Sequence, residues 1–196
     1  LEVELVGRVR VDDEIQAGEI TVPARKLLDI VKSLPDSTPV NFSLENQRVT
    51  IKSGRSRFTL STLPASEFPA VEDSPNTLSF SLEQQQLKRL IDAVSFSMAQ
   101  QDVRYYLNGM LLEITPEFIR TVATDGHRLA LCTLQTAIEG ATARQSILPR
   151  KGVMELVRFL ADSDAQVRVL LGSNHLRAQT DDFTFTTKLV DGKFPD

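Results

Sequence analysis

Between Arg104 and Thr133 the chain reads RYYLNGMLLEITPEFIRTVATDGHRLALCT, with apolar and β-branched runs broken at Thr115-Pro116-Glu117 and at Asp125-Gly126. Both breaks carry the turn chemistry that joins neighbouring antiparallel strands. The pattern predicts a three-strand meander over about 107–114, 118–124 and 128–134. Ahead of it, the segment Leu82–Gln100 places Leu87, Leu90, Ile91 and Val94 at helical spacing. Near the start, Leu1–Val11 and Gly18–Val22 alternate as strands, and Pro23 stands at the first turn of a helix running to about Leu34. In that helix Leu27, Ile30, Val31 and Leu34 form one stripe expected to be buried, with Arg25, Asp29 and Lys32 opposite. Short β-like runs follow at Val40–Leu44, Arg48–Lys52 and Arg57–Leu63, and the unit closes on Phe68-Pro69.

A shift of 126 residues repeats the arrangement: Pro23 falls on Pro149, Leu27 on Val153, Ile30 on Leu156, Val31 on Val157 and Leu34 on Leu160. Phe68-Pro69 falls on Phe194-Pro195, and Arg25, Asp29 and Lys32 fall on Lys151, Glu155 and Arg158. The strands between slip by one position and return to step at Leu63 and Leu189. A period this long signals duplicated domains rather than a solenoid. With the inner echo at Leu82–Gln100, the second domain reads β-α-β-β-β twice, from near Asn76 after a Ser74-Pro75 linker to Pro195. If the copies are alike, the first domain begins about fifty residues before Leu1.

Composition narrows the function classes. The chain has 196 residues, 41% of them hydrophobic, which suits a globular protein of two domains. A formal charge of −4 argues against nucleic-acid binding by overall charge and leaves local basic surfaces as the route. Cys132 is the only cysteine, so a disulfide framework and a cysteine-rich zinc site are both excluded. No G-x-G or phosphate-loop pattern occurs among the nine glycines. There is neither a run of about 18 apolar residues nor a secretory signal pattern, and the expected location is cytoplasmic. No cofactor or metal is expected.

Three groups of residues bear candidate chemistry. Arg25 with Lys32, Lys88 with Arg89, and Lys151 with Arg158 put basic residues on the outward faces of three amphipathic helices. They would meet phosphates without reading sequence, or form local ion pairs with Asp29, Asp92 and Glu155 on a solvated face. Tyr105 and Tyr106, on an extended strand, would point to opposite sides, so at least one is expected to be exposed beside Arg104. An exposed tyrosine there would stack on a base or sugar, or simply rim a helix-to-strand loop. A plain protein-binding β module is one alternative function; in another, Asp125, His127 and Cys132 would supply an acid, a base and a nucleophile for a small cytosolic hydrolase. Against that alternative, Asp125-Gly126 is already explained as a turn, Cys132 lies mid-strand, and His127 and His175 form no ligand pair.

The blocks RYYLNGMLLE (104–113), TVATDGHRLA (121–130), PRKG (149–152), KLVDGKFPD (188–196) and SGRSRFTLSTLPA (53–65) closely resemble the bacterial DNA polymerase III β subunit family of replicative sliding clamps. The resemblance implies an α+β DNA-clamp fold of duplicated β-α-β-β-β units, with helices on one face of antiparallel sheets. Residues 1–73 would be the C-terminal half of clamp domain 1 and 76–196 all of domain 2, with domain 3 absent. It implies a non-catalytic processivity factor that encircles double-stranded DNA as a head-to-tail homodimer and tethers the polymerase III alpha subunit, the clamp loader and other proteins carrying clamp-binding motifs. By the same resemblance, Arg25, Lys32, Lys88, Arg89, Arg150, Lys151 and Arg158 would face DNA inside the ring, and Gln101, Tyr105 and Tyr106 would contact it at the ring face. Arg104, Leu107, Thr124, Gly126, His127, Arg128, Leu129 and Pro195 match one side of a pocket for short peptide motifs. Arg55 and Arg57 would lie on the edge strand that pairs across protomers. By the same resemblance the third domain, which completes both the pocket and the ring interface, would be absent.

Overall fold

The computed structural model describes residues 2–11, 16–71 and 77–195, so the Ser74-Pro75 linker and the domain start at Asn76 lie outside the described residues. In chain order the elements are β1 (Val3–Gly7), α1 (Ala24–Ser33), β2 (Asn41–Glu45), β3 (Arg48–Ser53), β4 (Ser56–Ser61), β5 (Leu78–Glu83) and α2 (Gln84–Ser95). There follow β6 (Gly109–Ile114), β7 (Phe118–Thr124), β8 (Leu129–Gln135), β9 (Arg144–Pro149), α3 (Arg150–Phe159), β10 (Gln166–Leu171), β11 (His175–Gln179) and β12 (Phe183–Lys188). Contacts divide them into two compact units, Leu1–Arg10 with Val71–Asp196, and Val11–Ala70.

The larger unit contains β-α-β-β-β twice, as β5-α2-β6-β7-β8 and β9-α3-β10-β11-β12, and all its sheet pairs are antiparallel. Its sheets run in the order β8-β7-β6-β9 and β1-β12-β11-β10-β5. The opening strand of each repeat therefore pairs into the other repeat's sheet, β5 on β10 and β9 on β6. Between them lies one core, to which α2 gives Leu87, Leu90, Ile91 and Val94, α3 gives Val153 and Leu156, and the sheets give Ile114, Ile119, Val167, Val169, Leu171 and Phe185. Truncating a fully buried leucine such as Leu156 to alanine costs about 2–5 kcal/mol in such a core.

Local chemistry sets the helix boundaries. Leu82 belongs to β5, where it pairs with Val167, so the helix predicted from Leu82 begins at Gln84 instead. A capping box between Glu83 and Gln86 starts it there, with the Glu83 N–H donating to Gln86 Oε1 at 3.1 Å. It ends at Ser95 rather than Gln100. The meander is present, but its first strand begins at Gly109, because Tyr105–Leu107 form a short 3-10 turn. Pro23 and Pro149 are the N-caps of α1 and α3, one position before the first turn. The two helices, Ala24–Ser33 and Arg150–Phe159, keep the repeat register, while β4 and β12 are offset by one further residue, the slip seen in the sequence.

The smaller unit packs α1 with the sheet β2-β3-β4 around Val49, Ile51 and Leu60, joined by half-buried Val22, Leu27, Ile30 and Phe58. Two expectations fail here. Val31 is 47% and Leu28 50% exposed, so the buried stripe of α1 is narrower than its apolar spacing suggests. Their repeat partners Val157 and Met154 pack against the larger core, whereas the small core offers α1 only Val49, Ile51 and Leu60 as buried apolar strand residues. Gly18–Val22 is not a strand either: Thr21 Oγ1 accepts from the Leu63 N–H at 2.9 Å and donates to the Leu63 carbonyl at 3.0 Å, a side-chain contact in place of a ladder. No described helix is long and apolar enough to cross a membrane.

Candidate functional site

The β7–β8 turn is built by its own side chains. Thr124 Oγ1 accepts from the Gly126 N–H at 3.1 Å and donates to the Arg128 carbonyl at 2.7 Å. Asp125 Oδ1 accepts from the backbone N–H groups of His127 and Arg128, each at 3.0 Å, and Oδ2 accepts from Arg128 Nε at 3.0 Å. Those bonds, the His127 and Arg128 amides first, hold the Asp125 carboxyl below the usual carboxylate range. Gly126 has φ +88°, a left-handed conformation that suits glycine, and a Cβ there would meet the Arg104 guanidinium at 3.1 Å. The turn thus brings Thr124, Gly126, His127, Arg128 and Leu129 together at one end of the sheet, with Arg104 against Gly126.

Arg104 is held from the other side. Its Nε and Nη2 donate to Asp102 at 3.0 and 2.8 Å, and its backbone N–H donates to Asp102 Oδ1 at 2.8 Å. Asp102 is in turn fixed by Asn108, whose side chain accepts from the Asp102 N–H at 2.9 Å and donates to its carbonyl at 2.8 Å. The Arg104 side-chain bond dominates in lowering the Asp102 carboxyl to about 2, and the Arg104 guanidinium is raised reciprocally. Asp102 was not singled out from the sequence. An Asp two residues before an Arg was a usable signal, but the Asn108 bracket needed the fold.

Arg128 reaches out of its turn to the end of α2, where Nη2 donates to the Phe96 carbonyl at 2.7 Å and the guanidinium stands 5.5 Å from the Phe96 ring centre. Phe96 was not singled out from the sequence. Leu129 is 64% and Leu131 53% exposed on the outward side of β8, where Leu131 pairs with Val122. Val122 begins a small apolar cluster with Leu111, Ile147 and Phe194, covered in part by Tyr106 and Val190. Leu107 is buried beneath this end of the domain, and Pro195 is exposed next to Phe194. An exposed apolar strip with two held guanidinium groups and a histidine beside it is suited to a short peptide that offers apolar anchors and hydrogen-bond acceptors.

Tyr105 is 57% exposed and Tyr106 half-buried, as expected of one of the pair, but the 3-10 turn rather than an extended strand separates them. Their rings meet edge to face at 5.8 Å. Gln101 is exposed with φ +57° in the same loop.

The basic helix residues divide by pairing. On α2, Lys88 binds Asp92 at 3.0 Å; on α3, Arg158 binds Glu155 at 2.9 Å and Lys151 binds Glu2 at 3.3 Å. Arg150 is half-buried, its Nη1 donating to the Met98 carbonyl at 3.3 Å, and Lys88 is half-buried as well. Arg25, Lys32 and Arg89 are exposed and form no ion pair among the described residues. In the smaller unit β4 is an edge strand, with Arg57 on it and Arg55 in the preceding turn, both exposed.

The geometry gives the hydrolase alternative no support. Both Asp125 oxygens serve the turn, and Cys132 sits mid-strand opposite Thr121, half-buried against the core. Among the described residues no cluster of three or more His, Cys, Asp or Glu side chains could hold a metal.

Comparison with known proteins places these features in one family. Residues 1–72 match the N-terminal domain of the DNA polymerase III beta subunit, and residues 81–196 match its central domain. Over its full length the chain is 60% identical to the beta sliding clamp of Pseudomonas aeruginosa and 52% identical to that of Escherichia coli K12, spanning 53% of each. A crystal structure of the Pseudomonas aeruginosa subunit superposes with a TM-score of 0.95 at 59% identity, covering all of this chain and 53% of that one. A Bartonella birtlesii sliding clamp bound to griselimycin does so with a TM-score of 0.91 at 37% identity, again over all of this chain and 53% of the other. The chain thus spans about half the length of the relatives it matches, and with both domain models matched in tandem it belongs to the DNA polymerase III beta subunit family.

Proposed function

We propose that this chain is part of a sliding clamp: a non-catalytic ring that encircles double-stranded DNA and confers processivity by tethering the replicative polymerase. The observation that carries the reading is the ordered match of N-terminal and central clamp domains along one chain. Residues 1–73 then form the C-terminal half of domain 1 and residues 76–196 form domain 2. The complete protein closes as a head-to-tail homodimer in the cytoplasm, with the β4 edge and its Arg55 and Arg57 at the protomer boundary. An unpaired strand edge supports that role, because its free N–H and C=O groups call for a partner.

In this reading Arg25, Lys32, Arg89, Lys88, Lys151, Arg158 and Arg150 supply sequence-independent phosphate contacts, while Gln101, Tyr105 and Tyr106 touch DNA at the ring face. Weak electrostatic contacts suit a protein that must move along its track. The strip of Thr124, Gly126, His127, Arg128 and Leu129, with Arg104, Leu107 and Pro195, takes the clamp-binding motifs of the polymerase alpha subunit, the clamp loader and other proteins. A Pseudomonas aeruginosa clamp 60% identical to this chain has been solved bound to griselimycin, which is taken here as a ligand of the same pocket.

The test uses the full-length protein, loaded by a clamp loader onto nicked circular DNA. Retention on the circle and loss after linearisation support the ring; equal retention on both forms overturns it in favour of a plain binding module. His127→Ala should weaken griselimycin binding, and wild-type affinity in that variant overturns the pocket assignment.

A further inference from the structure

Phe96 is a large apolar residue at the surface. It caps the C-terminus of α2 and is 58% exposed, so burial explains little of its presence. What it does contact is Arg128, by two routes: its carbonyl accepts from Nη2 at 2.7 Å, and its ring faces the guanidinium at 5.5 Å. The carbonyl belongs to the end of a helix, where unsatisfied acceptors and the negative end of the dipole favour a cation. On the same edge, Asp125 Oδ2 accepts from the neighbouring Nε at 3.0 Å.

These contacts use one edge of the guanidinium and leave the other. Nε and Nη2 are engaged, whereas Nη1 makes no hydrogen bond among the described residues. Arginine binds carboxylates and carbonyls through paired N–H groups in a rigid plane, so fixing one edge also fixes the direction of the remaining donors. An arginine on a turn without such anchors would spread over many rotamers and lose that entropy on binding.

We propose that Phe96 is a positioning residue of the peptide pocket: its carbonyl and ring, together with Asp125, hold Arg128 so that the Nη1 end of the guanidinium is presented to a carboxylate or main-chain carbonyl of the bound ligand. The inference rests on the pocket reading above and adds a residue from a separate element, 32 positions away from Arg128 in sequence. It also assigns a chemical demand to the ligand, an acceptor at the Arg128 end of the strip beside apolar anchors at Leu129 and Leu131.

The experiment measures griselimycin affinity of the full-length protein by calorimetry for Phe96→Ala, Phe96→Leu, Phe96→Tyr, Arg128→Ala and the double variant Phe96→Ala/Arg128→Ala, with melting temperature recorded for each. Removing the ring should weaken binding about two- to fivefold, the scale of an exposed cation–π contact. Tyr should restore affinity and Leu should not, since leucine replaces apolar bulk without a π face. In the Arg128→Ala background the Phe96→Ala change should have no further effect. Wild-type affinity in Arg128→Ala overturns the proposal together with Arg128's place in the pocket. Loss in Arg128→Ala with wild-type affinity in Phe96→Ala, full restoration by Leu, or independent effects of the two changes overturns the positioning role and leaves the pocket standing.

Discussion

Gly152, in the first turn of α3, lies directly against Thr187 of β12, so that a Cβ built on the glycine would collide with the Thr187 side chain. Thr187 is fully buried, and the contact sets how closely the helix approaches the sheet. Gly152→Ala should therefore destabilise the fold by about 1–3 kcal/mol through overpacking, despite the better helix propensity of alanine. Urea unfolding should show a lower midpoint. Adding Thr187→Ala, which removes Oγ1 and Cγ2 and leaves Cβ, should recover part of the loss, and no recovery would place the strain elsewhere.

The Asp102–Arg104 pair gives a pH prediction. Folding lowers the Asp102 carboxyl from 3.8 to about 2, so its contribution is fully present above the ordinary value and fades as pH falls through about 2. Asp102 lies half-buried in a surface loop, and the effect should be read in loop order rather than global stability. A carboxyl-carbon NMR titration should place the Asp102 midpoint well below that of a free aspartate. Asp102→Asn should mobilise the Arg104 side chain at neutral pH while leaving the melting temperature within a degree or two.

Leu129 tests the apolar half of the pocket separately from its charges. At 64% exposure it contributes little to the core, so Leu129→Ser should leave stability unchanged. Griselimycin affinity should fall about tenfold, as expected when an apolar anchor worth about 1.4 kcal/mol is lost. Unchanged affinity would move the ligand off this strip.

Ion pairing should grade the basic residues in DNA binding. Arg25 and Arg89 hold no ion pair among the described residues, whereas Lys88 and Arg158 are already engaged by Asp92 and Glu155. In the full-length protein, Arg89→Ala should reduce the slope of log affinity against log salt by about 0.9 if one phosphate contact is lost, and Lys88→Ala by less. Equal slopes for all variants would assign phosphate binding to other residues.

These predictions draw unequally on what the sequence made legible. Period alone identified all three helices and most strands, because Leu87, Leu90, Ile91 and Val94 and their counterparts face one core. Boundaries were less legible: Leu82 fits the helical period of α2 yet serves β5, and only the Glu83–Gln86 capping box separates the two. Val31 continues an apolar stripe that the small core does not cover, since spacing says which residues share a face but not how wide the packing surface is. At the site, the motif blocks named the turn residues, and the fold supplied what holds them. Asn108 bracketing Asp102 and Phe96 bracketing Arg128 are contacts between different parts of the chain that no local pattern encodes.

Strand β1 holds an early segment of the chain against a late one. It is paired along its length with β12, from Val3 opposite Thr187 to Gly7 opposite Phe183, and the chain then leaves at Arg10 and returns to the same unit at Val71, whose N–H donates to Glu4 at 3.4 Å. The parts of the larger unit on either side of residues 11–70, β1 and Val71, thus meet through a hydrogen bond within that unit. A single protease cut in the exposed turn at Gly54 would then divide the polypeptide without dividing the β1–β12 pair: the N-terminal fragment would stay laced to β12, and the nicked protein would keep its mass in solution until denatured.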